Sequence, residues 1–306
     1  MSERAKLLLA LAIGSTAIGF AAIFFRLAAP TDPLLASMLR LAIAGVLLLP
    51  VSLRAVRNGS LSGRAVKVAL ACGAVYAVHF GTWVASLDRT SVAASVTLVT
   101  STPLMLAVVA FARGRDRPSV RTAIAIGAAT LGVVLIGASD AQDAPAGAVL
   151  GDVLALIGAA AMVVYLLLVR ELGTREPRPV PAFAFTGVAA LSGAVVLGLA
   201  LPIEAALVPI RFPSPTAFLF IALAALVPQI IGHGLLTWAL RRSSPTEVGL
   251  ATAAEPVLST GLAVIVFAER PTALVLVGAA ITLTAVVFGV SGGAEQAAEI
   301  DLDDRR

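Results

Sequence analysis

Long uncharged stretches alternate with short charged ones along the 306 residues of the chain. Each apolar stretch is about 20 residues long, the length that an α-helix needs to cross a bilayer. The stretches show no period-2 alternation of apolar and polar positions, so the pattern predicts helices and not a transmembrane β-barrel. We predict ten membrane spans, at 7–25, 34–53, 68–87, 91–112, 122–139, 153–169, 181–201, 216–240, 248–268 and 272–290.

The composition agrees with a chain whose main solvent is lipid. Hydrophobic residues make up 59% and charged residues 13% of the sequence, and the mean hydropathy is +0.98. Soluble domains contain about 25% charged residues. Cys72 is the single cysteine, which excludes a disulfide framework and multi-cysteine metal sites. The sequence has neither a Walker loop nor an HExxH motif, so we expect no cofactor, no metal site and no enzymatic activity.

The positive charges indicate the orientation. If the N-terminus is cytoplasmic, 17 of the 22 Lys and Arg residues lie in segments on the inner side. We therefore predict a multi-pass protein of the cell inner membrane with both termini in the cytoplasm and the loop 140–152 outside. The basic residues are then topology determinants, and no nucleic-acid partner is expected despite the formal charge of +4.

The two halves of the chain are related by an internal repeat. Residues 87–118 align with residues 240–271 without a gap, and the matches include Pro103 with Pro256. Each half holds five predicted helices, an odd number, so the second half must enter the membrane inverted. The predicted fold is an all-α membrane protein of two inverted five-helix repeats, at 1–140 and 141–291, followed by a disordered cytoplasmic tail at 292–306.

Three segments resemble the ten-helix EamA-type branch of the drug/metabolite transporter (DMT) superfamily. They are PLLASMLRLAIAGVLLLP in span two, LDRTSVAASVTLVTSTPL in span four and LRRSSPTEVGLATAAEPVLSTGLAVIVFAERPT in span nine. The first half departs from the family pattern because it lacks a Glu before Pro103. The resemblance implies transport, often export, of amino acids or other small metabolites.

Ionisable groups inside a membrane are expensive and are therefore candidates for a site. Arg40 in span two is either a counter-charge for a substrate carboxylate or an arginine that snorkels to the outer headgroups. Glu255 in span nine shares a predicted helical face with Thr252 and Ser259. It is either a cavity-lining group that could couple transport to protons or a structural hydrogen-bonding group between helices.

Aromatic and amide side chains complete the candidate substrate site. Tyr76, His79 and Trp83 share one predicted face of span three, and His233 lies at the position of His79 in the second half. A buried neutral histidine that donates to a helix carbonyl is the alternative for both imidazoles. Gln229, which follows a proline in span eight, either lines the cavity or bonds a neighbouring helix.

These features predict a secondary transporter that works by alternating access between two repeats. The expected substrate is a small polar metabolite such as an amino acid, exported across the inner membrane. Efflux of lipophilic cations or drugs is the alternative within transport, and a non-transporting sensor or assembly protein is the alternative class. The substrate and the lipid bilayer are the expected partners, and the oligomeric state is left open.

Overall fold

The computed structural model describes residues 2–90, 92–114, 118–138, 148–268 and 270–303. All of its regular elements are helical within these ranges. Within this part of the chain, nine helices are long and apolar enough to cross a membrane, and a further apolar helix that begins at Val120 is shorter. The helices of the described residues are α1 Glu3–Leu27, α2 Pro33–Arg57, α3 Gly63–Leu87, α4 in two segments (Val92–Val99 and Thr102–Arg113), α5 Val120–Ala138, α6 Ala148–Arg175, α7 Ala182–Ala205, α8 Pro215–Ala239, α9 Pro245–Phe267 and α10 Ala273–Asp303.

Capping side chains set where several helices begin. Ser2, Asp32, Ser62, Ser214 and Ser244 each accept a hydrogen bond from a backbone N–H of the first turn of the helix that follows. Three of these helices, α2, α8 and α9, also carry proline in the first turn, where its missing N–H removes no intrahelical bond. The helix starts are therefore encoded locally.

Three helices differ from the continuous α-helices that we expected. α4 is broken between Val99 and Thr102, and α9 is broken between Thr252 and Glu255. The middle of α8, Ala225–His233, is π-helical. A π-helix and an interrupted helix within a membrane span often occur at functional sites.

The last helix also extends further than expected. α10 continues to Asp303, so the backbone is helical across most of the segment for which composition predicts disorder. Alanine and glutamate in this segment favour helix, which explains the continuation. The predicted boundary between the repeats, at residues 140 and 141, lies outside the described residues.

The packing is symmetric under exchange of the two halves, with helix n in the first half matching helix n + 5. The matching helices α2 and α7 pack together, as do α5 and α10. The contact between α3 and α6 has its counterpart between α8 and α1, and the contact between α4 and α6 has its counterpart between α9 and α1. This exchange pattern is what two inverted repeats produce.

Small residues allow the closest crossings. At the crossing of α5 and α10, a Cβ added to Gly132 would lie 2.5 Å from the carbonyl oxygen of Gly278, and a Cβ added to Gly278 would lie 2.5 Å from that of Gly132. The two glycines therefore bring the backbones into contact, as small residues do in membrane helix pairs. Large apolar side chains such as Val108 and Ile265 face outwards.

Candidate functional site

The two broken helices are interrupted at equivalent positions of the repeat. Pro103 and Pro256 each occupy the second position of the segment that follows the break. Proline has no N–H to donate and its ring clashes with the carbonyl four residues earlier, which is at Val99 in α4 and at Thr252 in α9. The prolines therefore explain why both helices stop at these residues and restart three residues later.

Hydroxyl groups accompany each break and donate to carbonyls near it. The Ser101 and Thr102 hydroxyls donate to the carbonyls of Leu98 (2.6 Å) and Val99 (3.1 Å). On α9, the Thr252 hydroxyl donates to the carbonyl of Gly249 at 2.7 Å. These bonds make irregular backbone tolerable at membrane depth.

A small cavity of about 60 Å³ lies where the two breaks meet. At roughly 10–15 Å³ for each water-sized group, it can hold about four to six such groups. Helices from both halves line it, and Thr102 and Glu255 contribute from the two breaks. Of the seven predicted site residues, five line this cavity: Arg40, His79, Trp83, His233 and Glu255.

Arg40 is the most unusual of the lining residues. Its side chain is completely buried, and its guanidinium carbon lies 4.2 Å from the centre of the Phe80 ring. None of its three side-chain nitrogens has a hydrogen-bond partner among the described residues. Burial argues against the snorkelling alternative, because a snorkelling arginine keeps its charge in water. The structure thus places a buried cation with unused donors on a cavity wall.

Glu255 is the first residue of the second segment of α9 and lines the same cavity. It is close enough to Arg40 to interact with it electrostatically, but the two are not hydrogen-bonded. Thr252 also lines the cavity. Ser259, which we predicted on the same face, is not among the lining residues, and its hydroxyl donates to the Gly19 carbonyl on α1 at 2.9 Å.

The two histidines pack against one aromatic ring. The centre of the Phe80 ring is 4.6 Å from that of His79 and 5.5 Å from that of His233. His79 Nδ1 lies 2.8 Å from the carbonyl oxygen of Gly158, and since a carbonyl only accepts, Nδ1 carries the proton in this bond. For His79, the bonded-histidine alternative and the cavity-lining one therefore both hold.

Two predicted site residues lie outside the cavity lining. Tyr76 is fully buried and stacks on Tyr165, with ring centres 4.3 Å apart. Of these two tyrosines, Tyr165 lines the cavity and Tyr76 does not. Gln229 is fully buried in the π-helical part of α8, and neither its amide nitrogen nor its amide oxygen has a partner among the described residues. Both side chains are therefore packed within the helix bundle and do not form part of the cavity wall.

Polar contacts join helix ends on both predicted sides of the membrane. On the predicted outer side, the Thr90 hydroxyl donates to Asp152 at 2.8 Å, and Asp88 lies 3.5 Å from Arg211. Partial burial raises the pKa of Asp88 although Arg211 acts in the opposite direction. On the other side, Arg4 and Glu247 form an ion pair at 2.8 Å.

Comparison with known proteins identifies the family. A model of the EamA-like transporter family matches residues 5–138 and 149–291, which together make up most of the chain. The chain belongs to the EamA-like transporter family. The two matches correspond to the two halves, so this EamA-like transporter carries the repeat twice and is a multi-pass membrane protein of the DMT superfamily.

The solved structures support the fold of this EamA-like transporter. One of them, described only as "Crystal structure of protein", has a TM-score of 0.75 and 18% sequence identity, covering 94% of this chain and 98% of the other. At that identity the similarity establishes the fold alone. No curated protein matches the sequence of the EamA-like transporter.

Several lining residues were missed by sequence reasoning. Tyr165 and Thr237 line the cavity and their hydroxyls are 2.8 Å apart. Thr102 is the counterpart of Glu255 in the repeat, so the alignment of the two halves contained the signal that could have found it. Tyr165 gave a weaker signal, as one of the two tyrosines of the EamA-like transporter, both of which lie in apolar spans.

Proposed function

We propose that the protein is a secondary transporter that exports a small zwitterionic metabolite, such as an amino acid, by alternating access. The central cavity is the substrate site, and both chain termini are cytoplasmic, as the distribution of Lys and Arg indicates. The five predicted residues that line the cavity, together with Tyr165, Thr237 and Thr102, are the proposed substrate contacts.

The observation that carries this proposal is the state of Arg40. A buried guanidinium without hydrogen-bond partners is unfavourable by several kcal/mol unless something else compensates it. It has five N–H donors in a planar fork that matches a carboxylate. A substrate carboxylate in the cavity would supply both the missing charge and the missing acceptors.

The two broken helices support a zwitterion in particular. The first-turn N–H groups of a helix carry a partial positive charge, which discontinuous helices in transporters direct at anionic groups. On α9 this position holds the carboxyl group of Glu255, while the equivalent position on α4 holds the neutral Thr102. The positive potential of the α4 segment and of Arg40 therefore remains for the substrate carboxylate, and Glu255 suits the substrate amino group.

Lipophilic cations fit this cavity less well. The rings of Phe80, Trp83 and Tyr165 on its wall would suit an organic cation. The Arg40 guanidinium on the same wall, which has no hydrogen-bond acceptor among the described residues, would repel such a cation at low dielectric. The geometry therefore favours the zwitterion, and cation efflux becomes an outcome to be tested.

Counterflow in proteoliposomes tests the proposal with matched compounds. Alanine, ethylamine and propionate share a small carbon frame but carry both charged groups, only the ammonium or only the carboxylate. We expect amino acids of this size to exchange, and the two single-charge analogues to exchange far more slowly. Exchange of lipophilic cations without exchange of any zwitterion would contradict the proposal.

The histidines provide a second test. His79→Ala and His233→Ala should each slow exchange strongly and leave the melting temperature nearly unchanged. The carbonyl of Gly158 lies within α6, where helical carbonyls also accept intrahelical bonds, so losing the His79 donor costs little. Loss of folded protein in either variant would instead assign the imidazoles to the structural core.

A further inference from the structure

Two threonines on the wall of the central cavity lie where the first segments of the broken helices end. Thr252 is the last residue of the first segment of α9, and Thr100 directly follows the first segment of α4. A threonine hydroxyl has one proton to donate and two lone pairs with which to accept. What each hydroxyl can offer a ligand therefore depends on where its proton is already used.

The proton of Thr252 is used within α9. Its hydroxyl donates to the carbonyl of Gly249 at 2.7 Å. In a continuous α-helix this carbonyl would accept from the N–H of Ala253, but that N–H donates to the carbonyl of Leu250 instead. The hydroxyl therefore supplies a donor that the break removes. Turning it towards a ligand would leave the carbonyl of the buried Gly249 unpaired, which is unfavourable.

The proton of Thr100 is used in the same way within α4. Its hydroxyl oxygen lies 2.7 Å from the carbonyl oxygen of Val96 and 3.1 Å from that of Thr97. Because carbonyls only accept, the hydroxyl is the donor in either bond. Towards the cavity, Thr100 and Thr252 therefore present lone pairs alone, and both are acceptors for a ligand that donates.

The crossing of α4 and α9 combines these acceptors with a carboxyl group. The second segment of α9 contacts the first segment of α4, and the first segment of α9 contacts the second segment of α4. The break in one helix therefore lies against the break in the other. Glu255 begins the second segment of α9, three residues after Thr252. One carboxyl group and two hydroxyl oxygens from the breaks thus line the same small cavity.

The same cavity wall also carries the opposite chemistry. Neither the three side-chain nitrogens of Arg40 nor the indole nitrogen of Trp83 has a hydrogen-bond partner among the described residues. These nitrogens can only donate. The wall therefore combines unused donors with hydroxyl oxygens that can only accept. A ligand that carries both a carboxylate and a group rich in N–H donors would complete both sets.

We propose that Thr100, Thr252 and Glu255 form a subsite for a primary ammonium group, in which each residue accepts one of its three N–H donors. The ligand class is then narrower than a zwitterion, namely a small amino acid with an unsubstituted amino group. A methyl group on the nitrogen would replace one donor and leave one of these oxygens without a partner. This inference rests on the proposed transport function and specifies its selectivity.

Pairs of isomers separate the number of N–H donors from size and charge. Alanine and sarcosine contain the same atoms and are both zwitterions, but sarcosine carries one of its methyl hydrogens' carbons on nitrogen and so has one N–H fewer. The isomers α-aminoisobutyrate and N,N-dimethylglycine differ by two N–H groups. Inhibition of alanine counterflow in proteoliposomes gives a half-inhibiting concentration for each compound. We expect this concentration to be about tenfold higher for sarcosine than for alanine, because a hydrogen bond to a charged group is worth about that factor in affinity. The difference within the second pair should be larger.

Threonine-to-valine substitutions assign the selectivity to the two hydroxyls. Thr252→Val and Thr100→Val each keep the side-chain shape and remove one acceptor, so the preference for alanine over sarcosine should largely disappear. Thr252→Ser, which keeps the hydroxyl, should retain it. Thr260→Val is the matched control, because the Thr260 hydroxyl also donates to a carbonyl of α9, at 2.8 Å, but does not line the cavity. A purely structural effect would weaken both compounds equally and leave their ratio unchanged.

Several outcomes would overturn the ammonium subsite. Equal inhibition by alanine and sarcosine in the unaltered protein would do so without involving any variant, and the proposed exchange of zwitterions would stand. An unchanged ratio in both valine variants would also exclude the two hydroxyls. Alanine exchange that stops when choline replaces Na⁺ would assign these oxygens to a sodium ion instead. Absence of alanine exchange under all conditions would refute the proposed function, and the subsite with it.

Discussion

Replacing Arg40 with methionine should change substrate binding and protein stability in opposite directions. Methionine has a similar length and fills the same space with an apolar chain, so the packing against Phe80 is largely preserved. The substitution removes a buried charge whose nitrogens have no hydrogen-bond partner among the described residues. It also removes the group that we assign to the substrate carboxylate.

The magnitudes decide the expected sign of the stability change. Burial of an ion costs several kcal/mol, and replacement of buried charges by apolar groups of similar volume is often neutral or stabilising by about 1–4 kcal/mol. Against this stands the contact of Arg40 with the Phe80 ring, at 4.2 Å, which is worth about 0.5–2 kcal/mol. We therefore expect the melting temperature of Arg40→Met to be unchanged or to rise by a few degrees.

The loss of substrate binding should be much larger. Truncating one partner of a buried hydrogen-bonded charge pair costs about 2–5 kcal/mol. At 1.4 kcal/mol for each factor of ten, this corresponds to at least about a 30-fold weaker affinity. The half-saturating concentration in counterflow measures this loss, and thermal unfolding of the purified protein measures stability.

Arg89→Met is the matched control, because it removes the same charge from an exposed position. It should leave both quantities unchanged. A fall of several degrees in the melting temperature of Arg40→Met would show that the guanidinium is a structural element. Normal exchange by a folded Arg40→Met variant would refute its role as the counter-charge.

Three further predictions concern topology, coupling and packing. The thiols of Ala144→Cys and Ser60→Cys should be labelled from opposite sides of sealed cells, because the positive-inside rule places residue 144 outside and residue 60 inside. Labelling from the same side would contradict the ten-span topology. Glu255→Gln keeps a hydrogen-bonding group beside the substrate amino group but removes its charge, so it should exchange substrate more slowly and lose acceleration by an imposed pH gradient. A wild type that ignores the gradient would exclude this residue as the proton carrier. Gly132→Ala should lower the melting temperature, because the added Cβ would lie 2.5 Å from a carbonyl oxygen of α10. Gly127→Ala on the same helix should leave the melting temperature unchanged, because no atom lies within 4 Å of the added Cβ. Equal effects of the two substitutions would show that the helix crossing is not close-packed.

The helices and the repeat follow from local properties of the sequence. A span of about 20 apolar residues leaves an α-helix as the way to satisfy its own backbone in lipid, so helix number and type need no knowledge of neighbours. The odd number of helices in each half then implies inversion, and the family match to both halves confirms the repeat. Arg40 and Glu255 were candidates for a site on the sequence alone, since charged side chains in membrane spans are expensive and mostly face the interior.

Only the tertiary structure decided which polar side chains share a cavity. Helical periodicity places Tyr76 and His79 on one face, yet stacking on Tyr165 holds Tyr76 behind the wall while His79 lines it. Tyr165 and Thr237 come from different helices of the second half, and only packing brings their hydroxyls together. The interruptions of α4 and α9 belong to this level as well, because Pro103 and Pro256 could have kinked their helices without ending them. What makes breaks possible at membrane depth is that neighbouring helices enclose the exposed backbone, and this enclosure is a property of the whole fold.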